Sequence, residues 1–92
     1  MKLNDTYQLE QIAGRQVLLP QGQAVIDGGM VYQLNDTAAW VLGALRDAPD
    51  EATLLRRAAE EFLPASPAEQ ATLETEIRAF CDTLRKLRLL ED

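Results

Sequence analysis

The chain has 92 residues, of which 47% are hydrophobic and 26% are charged, and its net charge is −6. A chain of this size and composition can form one compact core, and it is too apolar to be disordered. The acidic balance disfavours nucleic acid as a general partner, because binding phosphates needs a basic surface. With no His and one Cys, the sequence excludes a His-based metal cluster and a Ser-His or Cys-His nucleophile pair.

Targeting and membrane segments are not expected. No apolar run approaches the roughly 18 residues of a membrane span, and the N-terminus MKLNDTYQLE lacks the apolar core of a signal peptide. We therefore expect a cytoplasmic protein without a membrane partner. The single Cys81 fits a reducing compartment and is expected to be a small core or boundary residue. These exclusions favour a binding or scaffolding module rather than an enzyme, with no cofactor and no metal.

The N-terminal half is typical of β-structure. Short apolar runs at residues 16–19 (QVLL), 24–27 (AVID) and 30–34 (MVYQL) are separated by Pro-Gln-Gly and Asp-Gly-Gly turn signals. They predict a three-stranded antiparallel meander. Residues 7–12 (YQLEQI) alternate in polarity and could form a further strand.

The C-terminal half is typical of helix. A first helix is predicted within residues 34–46, capped by Asn35 or Asp36, and a second follows the cap Asp50 and ends before Pro64. A capping box at residues 66–69 (SPAE) predicts the start of a third, longer helix. This third helix carries a narrow apolar stripe made of Leu73, Ile77, Phe80, Leu84 and Leu87.

The last predicted strand, residues 30–34, carries no Lys, Pro or Gly that would protect a sheet edge. Three explanations are open: the N-terminal residues 7–12 cover the edge, two copies pair edge to edge, or an extended peptide adds itself as a further strand. Alternation places Met30, Tyr32 and Leu34 on one face, and Val31 and Gln33 on the other. Leu34 precedes the helix cap, so Tyr32 is expected to face the helices.

The sequence contains an apolar strand ending in Leu-Asn-x-Thr-Ala-Ala at residues 34–39 and a final helix carrying Phe80, Leu84, Leu89 and Leu90. These two motifs resemble the PqqD-like proteins, which are known as RiPP recognition elements. The resemblance covers roughly residues 15–90. It implies an α+β, winged-helix-like fold in which a three-stranded antiparallel meander precedes three helices. The chain is then one domain over 1–92, with an extension at 1–14, the meander at 15–34 and the helices at 35–90.

The resemblance also implies a function. Such modules bind the leader region of a ribosomally made precursor peptide by strand addition and present it to a modifying enzyme. That enzyme is a radical S-adenosylmethionine enzyme or a lasso-peptide protease and cyclase, and the module itself does no chemistry. A monomer or weak homodimer is expected. The implied peptide-binding residues are the strand edge and the outward face of the third helix: Met30, Val31, Tyr32, Gln33, Arg78, Asp82, Arg85 and Arg88.

Two other classes remain open from the sequence. A winged-helix DNA-binding regulator has a compatible order of helices, but Glu69, Glu74 and Glu76 lie early in the third helix, where they would repel phosphates. A homodimeric scaffold could use the apolar stripe of the third helix as its seam, although the same stripe serves equally well in a domain core. The basic residues late in that helix also match the helix dipole, which explains their position without a peptide ligand. Each of them can equally be an exposed, solvated charge.

Overall fold

A three-stranded antiparallel meander precedes three long helices, and two-residue strands join the chain ends. The computed structural model describes residues 1–4 and 6–91. The α+β class and the order of strands and helices that the sequence predicts are confirmed. The elements are β1 (Lys2–Leu3), β2 (Tyr7–Ile12), β3 (Arg15–Pro20), α1 (Gln23–Ile26), β4 (Tyr32–Leu34), α2 (Asp36–Leu45), α3 (Glu51–Phe62), α4 (Pro67–Lys86) and β5 (Leu90–Glu91).

The β2–β3 hairpin fixes which way the backbone groups of β3 point. Its turn residues, Ala13 and Gly14, have φ angles of 51° and 78°, as a two-residue type I′ turn requires. The flanking residues Ile12 and Arg15 form the first pair of the ladder, and in such a hairpin this pair is hydrogen-bonded. Odd-numbered residues of β3 therefore direct their N–H and C=O groups to β2, and even-numbered residues direct theirs to β4.

This alternation explains where the β3–β4 ladder ends. Gln16 and Leu18 of β3 lie opposite Leu34 and Tyr32 of β4. The next residue of β3 facing that side is Pro20, which has no N–H to donate. The ladder therefore stops at Tyr32, and the strand predicted over residues 30–34 is paired only over its last three residues.

One strand prediction and the expected N-terminal extension are corrected by this topology. Residues 24–27 were expected to form a strand, but Gln23–Ile26 forms the single turn of α1. The sheet order is β2-β3-β4, so both edges of the central strand are occupied and none is left for a strand at 24–27. Tyr7–Ile12 supplies the first strand of the meander instead. Of the expected N-terminal extension, Lys2–Leu3 and Tyr7–Ile12 therefore belong to the sheets, since β1 also pairs antiparallel with β5.

The three long helices begin where the sequence predicts. Each has a capping side chain whose oxygen accepts a hydrogen bond from the backbone N–H three residues later, at 2.8, 2.8 and 3.1 Å. The three caps are Asn35, Asp50 and Ser66. Within residues 1–4 and 6–91, no helix is long and apolar enough to cross a lipid bilayer.

The apolar stripe of α4 lies mainly in the domain's own core. Ile77 and Cys81 have no exposed surface, and Leu84 is 1% exposed. They pack with residues of β3, α2, α3 and β5. The prediction for Cys81 is confirmed, and the centre of the stripe is not available as a seam between two copies.

Candidate functional site

The outer edge of β4 is unpaired in the part of the chain that the structure describes. Tyr32 and Leu34 face the even-numbered residues of β3, so their backbone groups point inward, and those of Gln33 point away from β3. Among residues 1–4 and 6–91, no strand pairs with this outer edge, because β2 lies on the far side of the sheet. The explanation that residues 7–12 cover the edge is therefore wrong.

An apolar cavity of ≈ 250 Å³ lies between β4 and α4. We call it the β4 cavity. Its sheet-side wall carries Tyr32 and Leu34 on β4, and its helix-side wall carries three residues of α4 together with Leu87, the C-cap of that helix. The complete lining is Leu18, Tyr32, Gln33, Leu34, Asn35, Ala38, Phe80, Thr83, Leu84 and Leu87.

A second cavity, of ≈ 290 Å³, adjoins the first at the N-terminus of α2. We call it the α2 cavity. It shares Asn35, Ala38 and Phe80 with the β4 cavity, so the two cavities form one groove along α4. This groove begins beside β4 and continues past the C-terminal end of β4. The complete lining is Asn35, Thr37, Ala38, Val41, Glu76, Ile77, Ala79 and Phe80.

The four strand residues implied by the resemblance divide into two pairs. Tyr32 and Gln33 line the β4 cavity. The Tyr32 ring faces the helices, as expected, since it lies opposite the buried Leu18 and contacts the core. Met30 and Val31 precede the paired strand, line neither cavity, and are 65% and 59% exposed.

The four charged residues implied on the third helix are not brought to this groove. Arg78 lies 3.7 Å from the carboxylate of Glu51 on α3, and Arg85 lies 3.0 Å from Asp82. At 100° per residue, Arg78, Asp82 and Arg85 occupy the side of α4 opposite to its groove-lining residues. Arg88 follows α4 in a left-handed turn with φ 61° and belongs to neither cavity.

The helix residues that do line the β4 cavity are Phe80, Thr83, Leu84 and Leu87. From the sequence, the apolar members of this set are expected in the core, and the binding residues on the helix are expected among the charged ones. The sequence does contain a signal for the groove, because Phe80 and Leu87 lie at one margin of the apolar stripe. A core-facing stripe with an apolar margin beside a bare strand edge is typical of a groove.

Comparison with known protein families assigns the chain to a family. The profile of the family described as coenzyme PQQ synthesis protein D (PqqD) matches residues 15–90. The chain belongs to the PqqD family. No curated protein sequence matches it.

A solved structure, described as "TbiB1 in Complex with the TbiA(beta) Leader Peptide", has the same fold as this PqqD-family chain. The TM-score is 0.69 at 21% sequence identity, and the superposition covers 99% of this chain and 95% of that one. The shared fold therefore includes the N-terminal strands before residue 15, which the family profile does not match.

Proposed function

We propose that this PqqD-family chain binds the leader region of a ribosomally made precursor peptide. The bound segment adds to β4 as a fourth strand and places side chains in the groove along α4. The observation that carries the proposal is the unpaired outer edge of β4 beside an apolar cavity. The leader peptide bound to TbiB1, a protein of the same fold, supports the choice of ligand.

The site can contact both the backbone and the side chains of an extended peptide. The backbone N–H and C=O groups of Gln33 point outward and can bond to a peptide backbone of any sequence, which provides affinity. Every second side chain of an added strand faces the same side of the sheet as Tyr32 and Leu34, so one of these side chains can enter the β4 cavity. Because that cavity has mainly apolar walls, the side chain it selects is apolar.

The module carries the peptide to a processing enzyme and does no chemistry itself. The chain contains no His, and its single thiol, Cys81, is fully buried in the core, where cysteines are unreactive. We propose that the partner enzyme is a radical S-adenosylmethionine enzyme or a leader peptidase with a cyclase. The complex forms in the cytoplasm, since a precursor made there is bound before export.

Fluorescence anisotropy and NMR test this function together. Fluorescein-labelled synthetic segments of the short peptides encoded beside the gene are titrated with the protein, and a labelled DNA duplex at low salt serves as the negative ligand. Micromolar or tighter binding of one segment is expected. The amide shifts of ¹⁵N-labelled protein should change at Gln33, Phe80 and Leu87. Shifts confined to the β2 edge, or tight salt-sensitive binding of the duplex, would refute the proposal.

A further inference from the structure

The α2 cavity differs from the β4 cavity in its chemistry. Its lining is mainly apolar: the side chains of Val41 and Ile77 lie fully buried at its base, and those of Ala79 and Phe80 are accessible. Its polar lining includes the carboxylate of Glu76, which is the one charged side chain that lines either cavity among the described residues. Within residues 1–4 and 6–91, Glu76 forms an ion pair with no Lys or Arg. The cavity therefore combines an apolar floor with an unpaired negative charge.

We propose that the α2 cavity binds the side chain of a Lys or Arg from the docked peptide. This inference rests on the proposed function and specifies its ligand. Lys and Arg combine an aliphatic stem with a cationic head, so the stem can cover the exposed Ala79 and the half-buried Phe80 while the head reaches Glu76. A purely apolar side chain would leave the carboxylate unpaired, and an acidic one would be repelled by it.

The N-terminus of α2 also lies at this cavity, and its dipole favours an anion, whereas Glu76 favours a cation. A helix N-terminus carries roughly half a positive charge and favours anions. The side chain of Asn35 already accepts a hydrogen bond from the Ala38 N–H at 2.8 Å, which satisfies one of the amides that an anion would use. Asp36 in the first turn further compensates the dipole. The full charge of Glu76 therefore outweighs the dipole, and a cation is favoured.

The distance between the cavities fixes the spacing of the two side chains. On α4, the β4 cavity is lined from Phe80 to Leu87 and the α2 cavity from Glu76 to Phe80. The midpoints of these two segments are separated by about 8 Å along a helix that rises about 1.5 Å per residue. Side chains on one face of a strand recur at about 6.6–6.8 Å, every second residue. For a peptide strand that runs along α4, these spacings match a ligand in which an apolar and a basic residue are two positions apart.

A displayed library of random 12-residue peptides tests this specificity without knowledge of the natural precursor. Selection with the wild-type protein should enrich an apolar residue with Lys or Arg two positions away. Glu76→Lys should instead enrich Asp or Glu at the basic position. Glu61→Lys on α3, an exposed residue that lines neither cavity, makes the same change in net charge and should return the wild-type pattern.

Quantitative binding then follows with one selected peptide. Replacing its basic residue by norleucine should weaken binding to the wild type about two- to fivefold, as expected for an exposed ion pair, and should not weaken binding to Glu76→Gln. Wild-type binders with an apolar anchor but no basic preference would overturn the inference while leaving strand addition intact. A failure of Glu76→Lys to change the selected charge would also overturn it. A library that yields no binders would overturn both the inference and the proposed function.

Discussion

A proline at Gln33 is the most direct perturbation of the proposed docking edge. The hydrogen bonds that hold β4 to β3 come from Tyr32 and Leu34, whereas the N–H of Gln33 points away from the sheet. Proline is tolerated on an edge strand when the missing N–H faces outward. The Gln33→Pro chain should therefore fold, with a change of less than about 1 kcal/mol in its free energy of unfolding, because the lost N–H makes no bond within the sheet.

The loss of peptide affinity follows from one missing hydrogen bond. A backbone hydrogen bond contributes about 1 kcal/mol net, and a peptide carbonyl left without a donor in the complex costs up to about 3 kcal/mol. The dissociation constant should therefore rise between about fivefold and a hundredfold. Fluorescence anisotropy with the labelled leader segment measures the affinity, and urea denaturation measures the stability of the same samples.

Two matched proline variants separate the docking edge from general damage to the sheet. Gln11 lies on the opposite edge, in β2, and its N–H also points away from β3, so Gln11→Pro should bind the peptide as the wild type does. Tyr32→Pro removes both a bond to β3 and an aromatic ring that packs against the core, so it should destabilise the fold by at least about 1–3 kcal/mol. The reasoning is wrong if Gln33→Pro folds and binds normally, or if Gln11→Pro weakens binding equally.

Three further predictions concern stability. Gly43 lies within α2, and a Cβ there would contact nothing within 4 Å, so Gly43→Ala should raise the unfolding free energy by about 1 kcal/mol and the melting temperature by about 4–8 °C. Leu63 ends α3 with a φ of 48° and is 76% exposed, so Leu63→Gly should stabilise by about 1 kcal/mol, and a lower urea midpoint would contradict the cap assignment. The Thr53 N–H bonded to Asp50 lowers the pKa of that carboxyl below its ordinary value. The urea midpoint of the wild type should therefore exceed that of Asp50→Ala by its full amount above about pH 4, and this difference should shrink as the pH falls through the folded-state pKa. A constant difference from pH 7 to pH 3 would contradict the assignment of Asp50 as a charged cap.

The helices could be predicted from the sequence because their signals are local. Asp50 and Ser66 cap the helices that they were expected to cap, and of the two candidates at the first helix it is Asn35 that does so. A capping side chain reaches an amide only three residues away, so neighbouring residues decide where a helix begins. Tertiary contacts then decide which face of the helix is buried.

The strands could not be assigned with the same success because pairing is not local. The run at residues 24–27 has the composition of a strand, but the edge it would need is occupied by residues 7–12 and 32–34. Local sequence does not show which of several short apolar runs pairs with the central strand. The role of Pro20 became clear only with the register, which shows that its missing N–H ends the β3–β4 ladder.

The two faces of α4 give opposite predictions for peptide binding. Leu87 is 37% exposed and lines the β4 cavity, so Leu87→Gln removes apolar surface that the peptide would bury and should weaken binding about two- to fivefold. Arg78 lies on the other face beside Glu51, so Arg78→Gln should leave the affinity within about twofold of the wild type, since an exposed ion pair contributes little. Both variants introduce a neutral polar side chain on one helix, and the same anisotropy titration compares them. The reverse result would place the peptide on the charged face, which the resemblance alone suggested, and would show that the apolar groove is not the docking site.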